Sequence, residues 1–226
     1  NSFHMNSFIN ILLLIVTFPT MLLSIFIGFD LPIEFLRTTA REMPYSSEIL
    51  LVFGLLLLVI SLRRSIRRWM GVRMTKQTKK FHWNSEISQT RKQRVVVYTL
   101  IESAVLLSLA FGYYFLTLEA WFPAIVMLIF SIESILFLLI CSRKLFRIGL
   151  SSKAILVADR EVILIYLAGL RQVSISQQTV YFDYTNDLQL SFPTDCLLAE
   201  EKDLFFENLS SLVDKNKVLF RNVTTS

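Results

Sequence analysis

Two glutamates inside long apolar stretches are the residues best placed to do chemistry in this chain. Glu102 and Glu133 each stand in the tripeptide Ile-Glu-Ser, so Ser103 and Ser134 follow them directly. A carboxyl group among apolar residues is energetically costly, and it typically marks an ion path, a proton relay or a polar contact between subunits. A second interpretation is structural, with each acid protonated and hydrogen-bonded to a serine or a carbonyl of a neighbouring helix. The sequence leaves both interpretations open.

Four apolar stretches must position these acids, and they cover residues 8–29, 49–62, 95–115 and 120–141. Three of them reach the roughly 20 residues that cross a bilayer as a helix. The second is shorter, and the arginines after it can extend toward the headgroups to complete the span. Because 54% of the chain is hydrophobic and only 18% is charged, a soluble protein is excluded. We expect a four-helix transmembrane domain over residues 1–145 and a soluble domain over 146–226.

The distribution of positive charge predicts the orientation of the helices. Residues 63–94 form a strongly basic loop with one acid, Glu86, and cytoplasmic loops carry such an excess of Lys and Arg. We therefore expect a multi-pass protein of the inner (plasma) membrane with both termini in the cytoplasm. The third and fourth helices then run in opposite directions. This arrangement places Glu102 and Glu133 at one depth, about 10–12 Å from the cytoplasmic edge at 1.5 Å per residue.

The basic residues are candidates for contact with an anionic ligand or with lipid. Helical spacing predicts one basic face that docks on anionic lipid or on the phosphates of a nucleotide or nucleic acid; its members are Arg63, Arg64, Arg67 and Arg68. A second group follows the fourth helix and extends into the tail: Arg143, Lys144, Arg147, Lys153, Arg160 and Arg171. We expect no binding to duplex nucleic acid.

The tail has the short β-like segments and turn residues of an antiparallel meander. The segments cover residues 153–158, 161–167, 171–176, 179–184 and 188–192, and an amphipathic helix is predicted over 199–214. The predicted fold class is therefore membrane α-helical with a small α+β cytosolic domain. This pattern resembles the bacterial pleckstrin-homology-like (PH-like) domains that follow transmembrane hairpins, which implies a binding or scaffolding module. The whole layout also resembles small multi-pass effectors of bacterial antiviral defence, in which a cytosolic domain binds a nucleotide messenger and the helices permeabilise the membrane.

Sequence motifs of catalysis are missing from this chain. It has no phosphate-binding Walker loop, no Gly-rich dinucleotide motif and only two histidines, so we expect no catalytic residues, no metal and no cofactor. The first hypothesis is a ligand-controlled pore formed by a homo-oligomer, with a tetramer favoured, because one small bundle fills its own interior. The second is a membrane scaffold that recruits cytosolic protein partners through its tail. The third is a small cation- or proton-coupled transporter.

Overall fold

The fold is known from a computed structural model, which describes residues 2–33, 38–141, 145–160, 162–214 and 217–221. The chain divides into two compact units. We call Ser7–Ser65 with Tyr98–Leu138 the helical unit, and Asn1–Asn6 with Ile66–Val97 and Leu139–Ser226 the β-unit. The expected division at residue 145 stays a prediction.

Long helices form where the sequence predicts them: α1 (Ser2–Gly28), α2 (Ser46–Thr75), α3 (Gln89–Leu116) and α4 (Trp121–Cys141). Each is long and apolar enough to cross a membrane. A helix suits such a sequence because all its backbone hydrogen bonds close within the segment. Helix α2 continues past its apolar stretch to Thr75, as the spacing of its arginines predicts. Two short strands of two residues each, β1 (Pro32–Ile33) and β2 (Thr38–Thr39), follow α1 and pair with each other.

The core of the helical unit collects large side chains from all four helices. Ile27, Leu50, Tyr113 and Met127 are almost completely buried there. Elsewhere the helices present many exposed apolar side chains, such as Phe18 (68% exposed) and Phe115 (78% exposed). Such a surface matches the hydrocarbon of a bilayer and would be unfavourable in water.

The β-unit contains two four-stranded sheets. The first has the order β3 (Trp83–Glu86), β4 (Arg147–Leu150), β5 (Ala154–Ala158) and β6 (Val162–Tyr166), and all its pairs are antiparallel. The second pairs β7 (Leu170–Ser176), β8 (Thr179–Tyr184) and β9 (Gln189–Pro193) in antiparallel fashion. Strand β10 (Leu219–Arg221) pairs parallel to β7. Helix α5 (Lys202–Leu212) follows β9.

The five strands predicted in the tail are all present, with each bound within one residue of the prediction, and the antiparallel sheet with its C-terminal helix is confirmed. Local chemistry explains this agreement. Gln177 and Gln178 both have positive φ, the backbone of the tight two-residue turn that joins twisted antiparallel strands. Strand β8 alternates buried and half-buried residues, as a strand with one face on a core must.

Two further antiparallel strands of the β-unit were not predicted, and each is next to a long helix in the sequence. Strand β3 comes from the basic connector between α2 and α3, and β4 follows α4. Trp83 of β3 is 7% exposed, and its ring lies 5.1 Å from that of Phe205 on α5. With β3 and β4 included, the antiparallel strands of the β-unit number seven among the described residues. The connector therefore contributes to the core of the β-unit.

Candidate functional site

An ion pair joins α2 and α3 within the helical unit. The Arg64 Nη2 atom lies 2.5 Å from the Glu102 Oε2 atom, and the two side chains are only 18% and 15% exposed. Both residues were predicted to be functional, Arg64 for an external anion and Glu102 for the membrane interior. Their contact gives each charge an opposite charge, which an ionised group needs among apolar neighbours.

This ion pair lines a groove of about 480 Å³ in the helical unit. Helix α1 contributes Asn10 and Thr17 to the groove, and apolar side chains such as Leu106 form most of the remaining wall. Thr17 Oγ1 donates to the Leu13 carbonyl at 2.7 Å, which satisfies its own hydroxyl within the helix. The groove therefore combines an apolar wall with one strongly polar position.

Paired serines connect α3 to α4. Ser103 Oγ donates to the Ser131 carbonyl at 3.0 Å, and Ser131 Oγ donates to the Ser103 carbonyl at 2.9 Å. Both serines are almost fully buried, as is Ser134 one helical turn further along α4. Sequence reasoning included Ser103 and Ser134 but missed Ser131. The signal was available, since residues 131 and 134 are three apart and share one helix face.

Glu133 lies half-buried on α4. Its proposed role in a polar path and its common depth with Glu102 stay predictions, as does the polar role of Ser134. The contact of Glu102 with Arg64 was not anticipated. Periodicity indicates where a residue lies along a helix, and it does not indicate which distant helix faces that residue.

The arginines of α2 do not share one exposed face. Arg63 is exposed and Arg67 is half-buried, whereas Arg68 is 4% exposed. Arg63 and Arg64 belong to the helical unit, and Arg67 and Arg68 to the β-unit. Contact of these arginines with lipid or with an anionic ligand stays a prediction.

Arg147 takes part in strand pairing. It stands opposite Glu86 in the β3–β4 register, its Nη1 atom lies 3.6 Å from Glu86 Oε1, and its Nε–H donates to the Asn84 side chain. Opposite charges directly across a strand pair stabilise it modestly. Arg160 is half-buried, and Arg143 and Lys144 lie outside the described residues.

Lys153 and Arg171 are exposed and border a groove of about 850 Å³ in the β-unit. Lys217, which sequence reasoning did not select, lines the same groove. Its position is set by the parallel pairing of β10 with β7, in which Leu219 stands opposite Gln172. The local sequence does not indicate that this segment pairs with β7, so the third cation could not be placed beforehand.

A second polar cluster lies within the β-unit and joins the first turns of α3 to the segments that follow β5 and β9. Arg91 donates to Asp159 Oδ2 from Nε (2.9 Å) and Nη2 (2.7 Å), and Asp159 is 3% exposed. Arg94 Nη1 lies 2.7 Å from Asp195 Oδ2, and Ser88 Oγ donates to the Asp195 carbonyl. Sequence reasoning treated both arginines as part of the loop charge and missed these contacts.

Cys196 lies beside this cluster, and burial together with the nearby Asp159 carboxylate raises the pKa of its thiol well above the usual range. Cys141 is also buried. Within the described part of the chain, no group of three or more His, Cys, Asp or Glu side chains is placed to hold a metal ion. No known protein family, curated protein or solved structure was found to match the chain.

Proposed function

We propose that this protein is a ligand-controlled membrane pore or effector, formed by several copies, in which the β-unit senses an anionic ligand from the cytosol. The observation that carries the proposal is the ion pair between Arg64 and Glu102 in a groove of the helical unit. An ionisable residue within a membrane-spanning helix is by default a candidate for an ion path or a relay.

A conducting path in this scheme lies between copies. A bundle of four helices fills its own interior with side chains, so a polar lumen needs several subunits around one axis. The groove bordered by Arg64 and Glu102 opens on the surface of the helices and would contribute its polar position to that axis. A symmetric ring, with a tetramer favoured, is the expected assembly.

The sensing role is supported by the architecture and charge of the β-unit. Seven antiparallel strands followed by α5 fit the strand count of a PH-like domain better than the five strands predicted from the tail. Lys153 and Arg171 supply exposed positive charge beside a groove. The basic connector between α2 and α3 favours the cytoplasmic side for this unit.

Ion flux into liposomes tests the proposal directly. The double variant Glu102→Gln with Glu133→Gln should abolish conductance, because both carboxylates are removed from the proposed path. The exposed Glu48 at the start of α2 provides the matched control, and Glu48→Gln should conduct like the wild type. Unchanged flux in the double variant would eliminate the pore-lining role.

A scaffold is the second candidate, and it is favoured by the PH-like strand count of the β-unit, since such domains commonly bind proteins. The two candidates differ in assembly. The pore requires a symmetric oligomer in mild detergent, and a monomer that co-purifies with a stoichiometric cytosolic protein would support the scaffold.

A further inference from the structure

We propose that the groove bordered by Lys153, Arg171 and Lys217 binds a phosphorylated ligand of nucleotide size that carries a flat ring. This inference deepens the proposed sensing function, because it assigns the site and the chemical class of the ligand. We call the groove the basic groove; it lies entirely within the β-unit and has a volume of about 850 Å³.

Three separate chain segments bring the cations together. The Leu167 N–H donates to the Lys153 carbonyl at 2.9 Å, which fixes Lys153 beside the turn between β6 and β7. Arg171 stands near the start of β7. Lys217 precedes β10, which runs alongside β7 in parallel register. The three cations therefore come together because of the topology of the two sheets, and not because they are close in the sequence.

The positive charge of the basic groove is largely uncompensated. Within the described residues, neither Lys153 nor Arg171 has an ion pair with a carboxylate. Lys217 Nζ lies 3.4 Å from Asp214 Oδ2, in a pair whose side chains are 80% and 49% exposed. Such an exposed pair is weak and can exchange its partner. Two or three cations around one concavity match the charge of a phosphate group.

The rest of the basic groove's wall is suited to binding a flat ring. Tyr166 lines the basic groove with its side chain 56% exposed, and Leu170, Leu212 and Val218 add apolar surface. An exposed aromatic face binds the flat side of a ring by stacking. The volume falls within the range of small-molecule sites and far exceeds the size of a phosphate ion. The ligand is therefore expected to use both parts, with the phosphate on the cations and the ring on Tyr166.

The wall is already held in place. Tyr184 Oη donates to the Tyr166 carbonyl, and burial raises the pKa of Tyr184 to about 12, so this hydroxyl stays a donor into the alkaline range. Gly169 has φ +78°, a conformation that favours glycine, and its carbonyl accepts from the Thr185 N–H at 3.3 Å. A wall with fixed backbone lowers the entropy cost of binding.

Fluorescence of trinitrophenyl-AMP on the full-length protein in phosphatidylcholine nanodiscs tests the site. We expect saturable binding that unlabelled AMP displaces at lower concentration than inorganic phosphate, because AMP also supplies the ring. The double variant Lys153→Gln with Arg171→Gln should lower the affinity for the probe on the order of tenfold or more, since charge-assisted hydrogen bonds are lost. Lys79→Gln with Lys80→Gln removes the same charge from exposed residues outside the groove and should bind the probe like the wild type.

Nanodiscs with added phosphatidylglycerol distinguish the two sources of phosphate. Unchanged probe affinity in these discs identifies a soluble ligand. Displacement of the probe from the wild type would show that a lipid headgroup without a ring occupies the groove, and it would overturn the inference. Equal probe binding by the wild type and the groove variant would overturn the inference, as would absence of saturable binding in the phosphatidylcholine discs. Probe binding is measured separately from ion flux. Loss of probe binding with intact flux would contradict the ligand site alone, and absence of flux with intact probe binding would contradict the pore alone.

Discussion

Arg91 and Arg94 bind two aspartates in very different surroundings. The Arg91–Asp159 pair is largely enclosed, with side chains 22% and 3% exposed, whereas Arg94 is 57% exposed. Removing one partner of an enclosed pair leaves a charge without compensation in a poorly solvated place. Arg91 is therefore expected to contribute more to stability than Arg94 does.

Arg91→Met should lower the free energy of unfolding of the β-unit by about 3–5 kcal/mol, because Asp159 would keep its burial and lose both hydrogen bonds from the Arg91 guanidinium. The variant Arg94→Met provides the control and should cost less than about 1 kcal/mol, since its pair is exposed. Thermal unfolding of the full-length protein in detergent, followed by tryptophan fluorescence, measures both. Equal losses in the two variants would contradict the argument.

The two cysteines give a prediction on reactivity. A maleimide reacts with the thiolate, and a raised pKa means that less thiolate is present at a given pH. Cys196 should therefore stay nearly unlabelled in the native protein at pH 7, and its labelling rate should keep rising at alkaline pH well beyond the point where an ordinary thiol is fully ionised. Urea-unfolded protein is the control and should label quickly. Rapid labelling of native Cys196 at pH 7 would show that the residue is accessible and ionised.

At the scale of single residues, the sequence indicates which groups are unusual and leaves their partners unknown. Glu102 stands out because it interrupts an apolar stretch, and that signal is local. Its partner Arg64 is 38 residues away, on another helix. The rotation of α2 relative to α3 decides this contact, and packing of the whole bundle decides the rotation.

Strands were predictable where their signal was local. Residues 179–184 were predicted at the bounds that β8 has, because alternation and turn residues lie within the segment itself. Strand β3 reads Trp-Asn-Ser-Glu, which has weak strand propensity, and its partner β4 lies beyond two complete helices. Tertiary pairing forms this strand, so a single sequence offers no pattern that reveals it.

Trp83→Ala should destabilise the β-unit by about 3–5 kcal/mol, the usual cost of deleting a large buried aromatic side chain. The expected cause is the cavity left beside Phe205, whose ring Trp83 contacts edge-on. Trp121 on α4 is 53% exposed, so Trp121→Ala is the matched control and should change stability little. Circular dichroism melts of both variants give the comparison. A similar small effect of both substitutions would place Trp83 outside the core.

On the scale of the whole molecule, cysteine labelling should show which segments of the chain lie on each side of the membrane. The basic connector and the β-unit are expected in the cytoplasm, and the segment between α1 and α2 outside. Cysteines introduced at Lys79 and Glu201 should therefore react with an impermeant maleimide only in inverted vesicles. A cysteine at Glu48 should react in intact cells. The buried native cysteines give a low background. Labelling of Lys79→Cys from outside would reverse the orientation and remove the sensing scheme.

The place of β3 in the chain also sets an order of events during synthesis. Residues 83–86 leave the ribosome early, and residues 87–146, which include α3 and α4, come before the partner strand β4. Until β4 is made, the nascent segment has no neighbour for its backbone. A truncated gene product that begins at residue 146 would expose the edge of β4 and the face of Phe205, and it should aggregate when expressed alone. The first sheet of the β-unit can therefore form only after β4 has been translated.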